Sequence, residues 1–81
     1  MKLRKNIALS ESGLIFNPST GDSFSLNEIG QKIMYMLREG KAESAIHEHL
    51  SQEYQVADNT LTSDLQDFIE QLRLLNLLEH E

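Results

Sequence analysis

The stretch Leu14-Ile15-Phe16-Asn17-Pro18-Ser19-Thr20-Gly21-Asp22-Ser23-Phe24-Ser25-Leu26-Asn27-Glu28-Ile29-Gly30 decides how this chain folds. Leu14-Ile15-Phe16 is a short apolar run, closed by Asn17-Pro18-Ser19-Thr20-Gly21, which holds the only proline. Pro18 fixes its own φ and biases Asn17 away from helix, so a tight reversal is expected there. Asp22-Ser23-Phe24-Ser25-Leu26 then alternates, which puts Phe24 and Leu26 on one face of a strand. Asn27 follows as a helix N-cap, and Glu28 places a negative charge in the first turn, where the helix dipole favours it.

Toward the N-terminus, Ile7 and Leu9 alternate with polar or small neighbours, and Glu11-Ser12-Gly13 reads as a turn. The expectation is a three-stranded antiparallel meander over about residues 5–26. Toward the C-terminus, Ile29, Ile33, Met36 and Leu37 recur at helical spacing over about 28–39, with Met34 at the margin of the stripe, Tyr35 opposite and Gly40 as the stop. A weaker helix over about 42–54 carries Ile46, Leu50 and Tyr54 and begins without a clear cap. Gln55-Val56-Ala57 links it to Asp58-Asn59, either of which can cap a third helix over about 59–75. In that helix Leu61, Leu65, Phe68, Ile69, Leu72 and Leu75 share one face, while Asp64, Asp67, Glu70 and Gln71 occupy the other. The Leu77-Leu78 ending is expected to pack back beneath the helices.

A meander followed by three helices must bury the apolar face of its sheet on the helical stripes, which gives an α+β domain. With 81 residues the chain is read as one domain, 1–81. The second and third helices have the outline of a helix-turn-helix. The third strand lies at an edge of the meander, so its outer backbone groups need water, a cover or a partner.

Composition removes several classes of function. There is no cysteine, hence no disulfide, thiolate metal site or thiol nucleophile, and the sequence suits a reducing compartment. The basic start Met1-Lys2-Leu3-Arg4-Lys5 is not followed by an apolar signal core, and no run approaches the ~20 apolar residues of a membrane span, so the expected location is cytoplasmic. The net charge is −6, and from Glu43 onward the only Lys or Arg is Arg73. That surface repels phosphate backbones, which argues against reading the helix-turn-helix outline as a DNA-binding regulator. His47 and His49 point in nearly opposite directions on a helix and cannot close on one ion, although Glu43 with His47, or His49 with Glu53, has i,i+4 spacing. His80 sits in the tail. No serine lies in a nucleophile elbow. Gly21-Asp22-Ser23 is similar to the phosphopantetheine attachment sequence of acyl carrier proteins, but a carrier places its serine at the mouth of a helix, and here Ser23 follows Pro18 inside a strand pattern. Neither an enzyme nor a bound cofactor is expected.

The run from Leu14 to Gly30 resembles the PqqD-like family in its strand, turn, strand and Leu-Asn-x-x-Gly start of the first helix. Ile33 and Leu37 match that family's first helix, Ile46, Leu50 and Tyr54 its second, and Asp64, Phe68, Leu72 and the closing Leu77-Leu78 its last. The likeness spans about residues 5–79. Two positions depart from it: Ala42 stands where a Thr-like cap is usual, and Asn76 where a Gly is common. The resemblance implies a winged-helix-like domain that recognises leader peptides of ribosomally made, post-translationally modified products. Such domains take the leader as an added strand beside the third strand, in a groove walled by the third helix. The residues implicated are Asp22, Ser23, Phe24, Ser25 and Leu26 on the strand, with Leu65, Phe68, Ile69 and Leu72 on the helix. Apolar stripes usually serve packing, so most of these are expected to be core with only some edges lining a groove. The implied partners are a precursor peptide and a modifying enzyme, radical S-adenosylmethionine enzymes among the candidates, with the chain itself a monomer or a weak homodimer. A general protein-interaction adaptor is the competing reading, because an open strand edge can receive many partners.

Overall fold

The computed structural model describes residues 2–79. Met1, His80 and Glu81, and with them the tail histidine, lie outside the described residues. Strands β1 (Ala8–Leu9), β2 (Leu14–Asn17) and β3 (Asp22–Ser25) form an antiparallel sheet in the order β1-β2-β3. Helices α1 (Glu28–Arg38), α2 (Glu43–Glu53) and α3 (Asp58–Leu74) follow. The fold class is α+β, as the sequence pattern implies.

Turn chemistry fixes the register. Between β2 and β3 the buried Asn17 accepts a hydrogen bond on Oδ1 from the Ser19 amide at 3.0 Å, and its carbonyl accepts from the Gly21 amide at 2.8 Å. Gly21 takes φ +78, a left-handed conformation that suits glycine. Ile15 therefore pairs with Phe24 and Leu14 with Ser25. Ile15 is buried in the core while Leu14 and Phe16, one residue to either side, are exposed, the alternation expected of a sheet with one face covered.

Helices α1 and α3 each close on a left-handed residue. After α1 the Gly40 amide reaches the Leu37 carbonyl and the Lys41 amide the Met36 carbonyl, both at 3.0 Å, with Gly40 at φ +83. After α3 the same pair of bonds runs from Asn76 to Arg73 and from Leu77 to Leu72, with Asn76 at φ +62. Asn76 thus performs the role that glycine commonly plays at a helix end, and the motif turns Leu77 down onto Leu72, where both are buried. The closing residues then meet the beginning of the chain. Leu3 bridges to Leu78, the Arg4 amide bonds to the Leu77 carbonyl at 2.9 Å, and the Glu79 amide to the Lys2 carbonyl at 2.8 Å.

Three expectations need correction. The α1 core face is Gly30, Ile33, Met34 and Leu37, so Met34 is fully buried and Ile29, read as core, is 37% exposed. The α3 N-cap is Ala57, which has no side-chain cap, rather than Asp58 or Asn59. Asp58 instead approaches His47 of α2 at 3.3 Å, and the Asn59 side chain accepts from the Thr60 amide at 2.9 Å. The Leu75 end of the stripe is also exposed, since α3 stops at Leu74.

Candidate functional site

The open strand edge is built from the phase of the β2–β3 ladder. The Leu26 amide bonds to the Gly13 carbonyl at 2.7 Å, continuing the register in which Leu14 faces Ser25 and Phe16 faces Ser23. Antiparallel pairs alternate between bonded and non-bonded, so Phe24 and Asp22 are the residues whose backbone groups face β2. Ser23 and Ser25 point their N–H and C=O groups the other way, and among the described residues no further backbone bond closes on them. Asp22, Ser23 and Ser25 are exposed, and Phe24 is half-buried against Ile15.

Leu26 carries this edge toward the helices. Asn27 caps α1 by accepting from the Gly30 amide on Oδ1 at 2.8 Å. A Cβ at Gly30 would stand 3.1 Å from Asn27 Oδ1, 3.3 Å from Leu26 Cδ2 and 3.4 Å from Phe68 Cε2. The missing side chain at Gly30 is what lets the end of β3 and the margin of α3 converge on one point. Beside it lies a cavity of about 220 Å³ lined by Ile29, Gly30 and Ile33 of α1, Val56 of the α2–α3 link, and Leu61, Asp64, Leu65 and Phe68 of α3. Ile29 and Val56 are exposed apolar residues at its rim.

The four residues of α3 expected at a groove separate into two groups. Leu65 and Phe68 line this cavity, Leu65 from the core side and Phe68 half-exposed. Ile69 and Leu72 are 2% and 3% exposed and belong to the core. Residues not singled out from the sequence complete the wall: Gly30, Ile29 and Val56. Gly30 in a helix costs stability relative to Ala, and a glycine kept inside such a helix was the available signal for a close approach.

Elsewhere, several charged side chains form pairs. Lys32 pairs with Glu53 and lies 3.8 Å from Glu28, with its ammonium 5.1 Å from the centre of the Tyr54 ring. The hydrogen bond to Glu53, with a lesser contribution from the neighbouring Tyr54, holds the Lys32 ammonium above its ordinary pKa, and the same ammonium holds Glu53 below the usual carboxylate range. His49 Nε2 is 3.2 Å from Glu53, whereas His47 Nε2 meets Thr62 Oγ1 at 3.0 Å and Asp58 at 3.3 Å. In that second cluster hydroxyl and carboxylate share one ring nitrogen. Nucleophile activation needs them on opposite nitrogens, so the cluster clips α2 to α3 rather than forming a relay. No helix among the described residues is long and apolar enough to cross a membrane.

An antiparallel three-stranded sheet with an open third strand, set beside three helices and an apolar cavity, defines a known class. The chain belongs to the family described as coenzyme PQQ synthesis protein D (PqqD), which it matches over residues 13–78. Among solved structures it is similar to TbiB1 in complex with the TbiA(beta) leader peptide, at 30% identity and a TM-score of 0.91, with 100% of this chain and 98% of that chain covered. It also shares its fold with the lasso peptide synthetase B1 complexed with the leader peptide, at 21% identity and a TM-score of 0.83, covering 98% of this chain and 96% of that one. Comparison with curated proteins gave no match.

Proposed function

We propose that this chain is a non-catalytic peptide chaperone. It binds the leader segment of a ribosomally made precursor by strand addition along β3 and presents the attached core peptide to a modifying enzyme in the cytoplasm. The observation that carries this reading is the outward-facing backbone of Ser23 and Ser25 on the strand that leads, through Leu26 and Asn27, to the cavity beside Gly30 and Phe68. Strand addition supplies main-chain hydrogen bonds whatever the ligand sequence, and a neighbouring pocket for alternate side chains supplies selectivity. Membership of the PqqD family and likeness to TbiB1, solved with a leader peptide, support it. The chemistry belongs to the partner enzyme, with radical S-adenosylmethionine enzymes among the candidates. Holding the leader raises the local concentration of the substrate at that enzyme.

Titration of isotope-labelled protein with a panel of leader peptides, the TbiA(beta) leader first, tests this. Amide shifts are expected at Asp22 to Leu26 and around Leu65 and Phe68. Shifts confined to α2 would overturn the proposal.

A further inference from the structure

Among the side chains lining the cavity beside Gly30, Asp64 is the only charged one. It is exposed, one helical turn before Phe68, and among the described residues it has no ion-pair partner. Two of the chain's cations are committed elsewhere. Lys32 is held by Glu53, and Arg73, the only cation on α3, lies 3.5 Å from Glu70. The cavity, at about 220 Å³, falls below the roughly 300–1,000 Å³ usual for small-molecule sites, so it fits one inserted side chain better than a cofactor. Walls of Ile29, Val56, Leu65 and Phe68 select an apolar one.

We infer that the peptide segment bound here carries an apolar residue in the cavity and a Lys or Arg one or two positions away, paired with Asp64; this rests on the peptide-binding reading above. Residues four apart on a helix have Cβ atoms about 5–6 Å apart, which matches one or two residues of an extended strand at about 3.3 Å each. A ligand whose apolar side chain meets Phe68 therefore brings a near neighbour within reach of Asp64. An acidic ligand would be repelled, both by Asp64 and by a chain of net charge −6.

Selection of a displayed library of short random peptides on the full chain provides the test, run in parallel on wild type and Asp64→Lys. Wild type is expected to enrich apolar residues flanked by Lys or Arg. Asp64→Lys is expected to keep the apolar enrichment and lose the basic one. For a selected basic peptide, Asp64→Asn is expected to weaken binding about two- to fivefold at low salt, with the difference shrinking as salt rises. Thermal melting of both variants confirms that they fold, as an exposed position should allow. Enrichment of apolar residues with no basic preference, or a basic preference that survives Asp64→Lys, overturns the inference and leaves the groove intact. No enrichment of any peptide overturns both readings.

Discussion

At one side of the sheet, the outward groups of Ile7 are both occupied: its amide bonds to the Arg4 carbonyl at 3.2 Å, and its carbonyl accepts from Arg38 Nη2 at 3.1 Å. At the other side, Ser23 and Ser25 present the equivalent groups with no backbone partner. Exposed strand edges invite association, and folded proteins generally shorten, charge or cover them. This chain shortens β1 to two residues and lays a guanidinium against its approach at Ile7, while Leu9, the outward-facing residue of β1, has no further backbone partner among the described residues. Beside β3, a four-residue strand, it leaves the outward groups of Ser23 and Ser25 uncovered. The contrast teaches that the two edges differ in length and in what lies beside them: the β1 edge is short and tied off at Ile7, whereas the β3 edge is longer and runs toward the cavity.

The sharpest way to break that contrast is Ser25→Pro, which deletes an outward N–H while sparing the bonds to β2. Edge positions whose N–H faces solvent tolerate proline, so melting should change little. Leader affinity, read by fluorescence anisotropy, should fall about 10- to 100-fold, because a peptide carbonyl loses its donor at a cost of about 1–3 kcal/mol. Phe68→Ala should weaken both stability and binding. Full burial would make this truncation cost about 3–5 kcal/mol, and for a half-buried ring about 1–2 kcal/mol is expected from urea unfolding. Arg38→Ala is the complementary experiment on the covered edge. It should lower stability by about 0.5–1.5 kcal/mol through the stranded Ile7 carbonyl while leaving leader affinity unchanged. If Arg38→Ala instead altered binding, the two edges would not be independent.

The smallest expected effect is on pH dependence and involves neither edge. Glu53 is held below the usual carboxylate range by Lys32. Its contribution is present above the unfolded Glu pKa of about 4.3 and is lost as pH falls through the lower folded value. Melting temperature should therefore drop slightly more for wild type than for Glu53→Gln when pH is lowered from about 5 to about 3, with leader binding at neutral pH unaffected.

Features written in local chemistry were legible from the sequence. The Asn17–Gly21 reversal, the Asn27 cap and the Gly40 stop depend on neighbours within a few residues, and each sits where its chemistry demands. Features set by distant partners were not. Ile29 and Met34 both border the α1 stripe, and only the position of the sheet decides that Met34 turns inward and Ile29 toward the cavity. Asp58 has the chemistry of a cap but is drawn to His47, eleven positions earlier, on a neighbouring helix. At the site, the strand residues could be read from alternation and the family likeness. The groove wall could not, because periodicity gives Leu65, Phe68, Ile69 and Leu72 one face without ranking them by depth. Gly30 gave a signal only as a glycine inside a helix, and Val56 belongs to that wall through contacts that no local pattern records.

The hydrogen bonds joining Lys2 to Glu79 and Arg4 to Leu77 bring residues 2–4 and 77–79 side by side. A short covalent linker could connect them without stretching the backbone, and new ends could be opened at the exposed Gly40–Lys41 connection. Such a circular permutant would keep β2, β3 and the entry to α1 on one uninterrupted stretch, offering a rewired scaffold for attaching the module to an enzyme from a different direction.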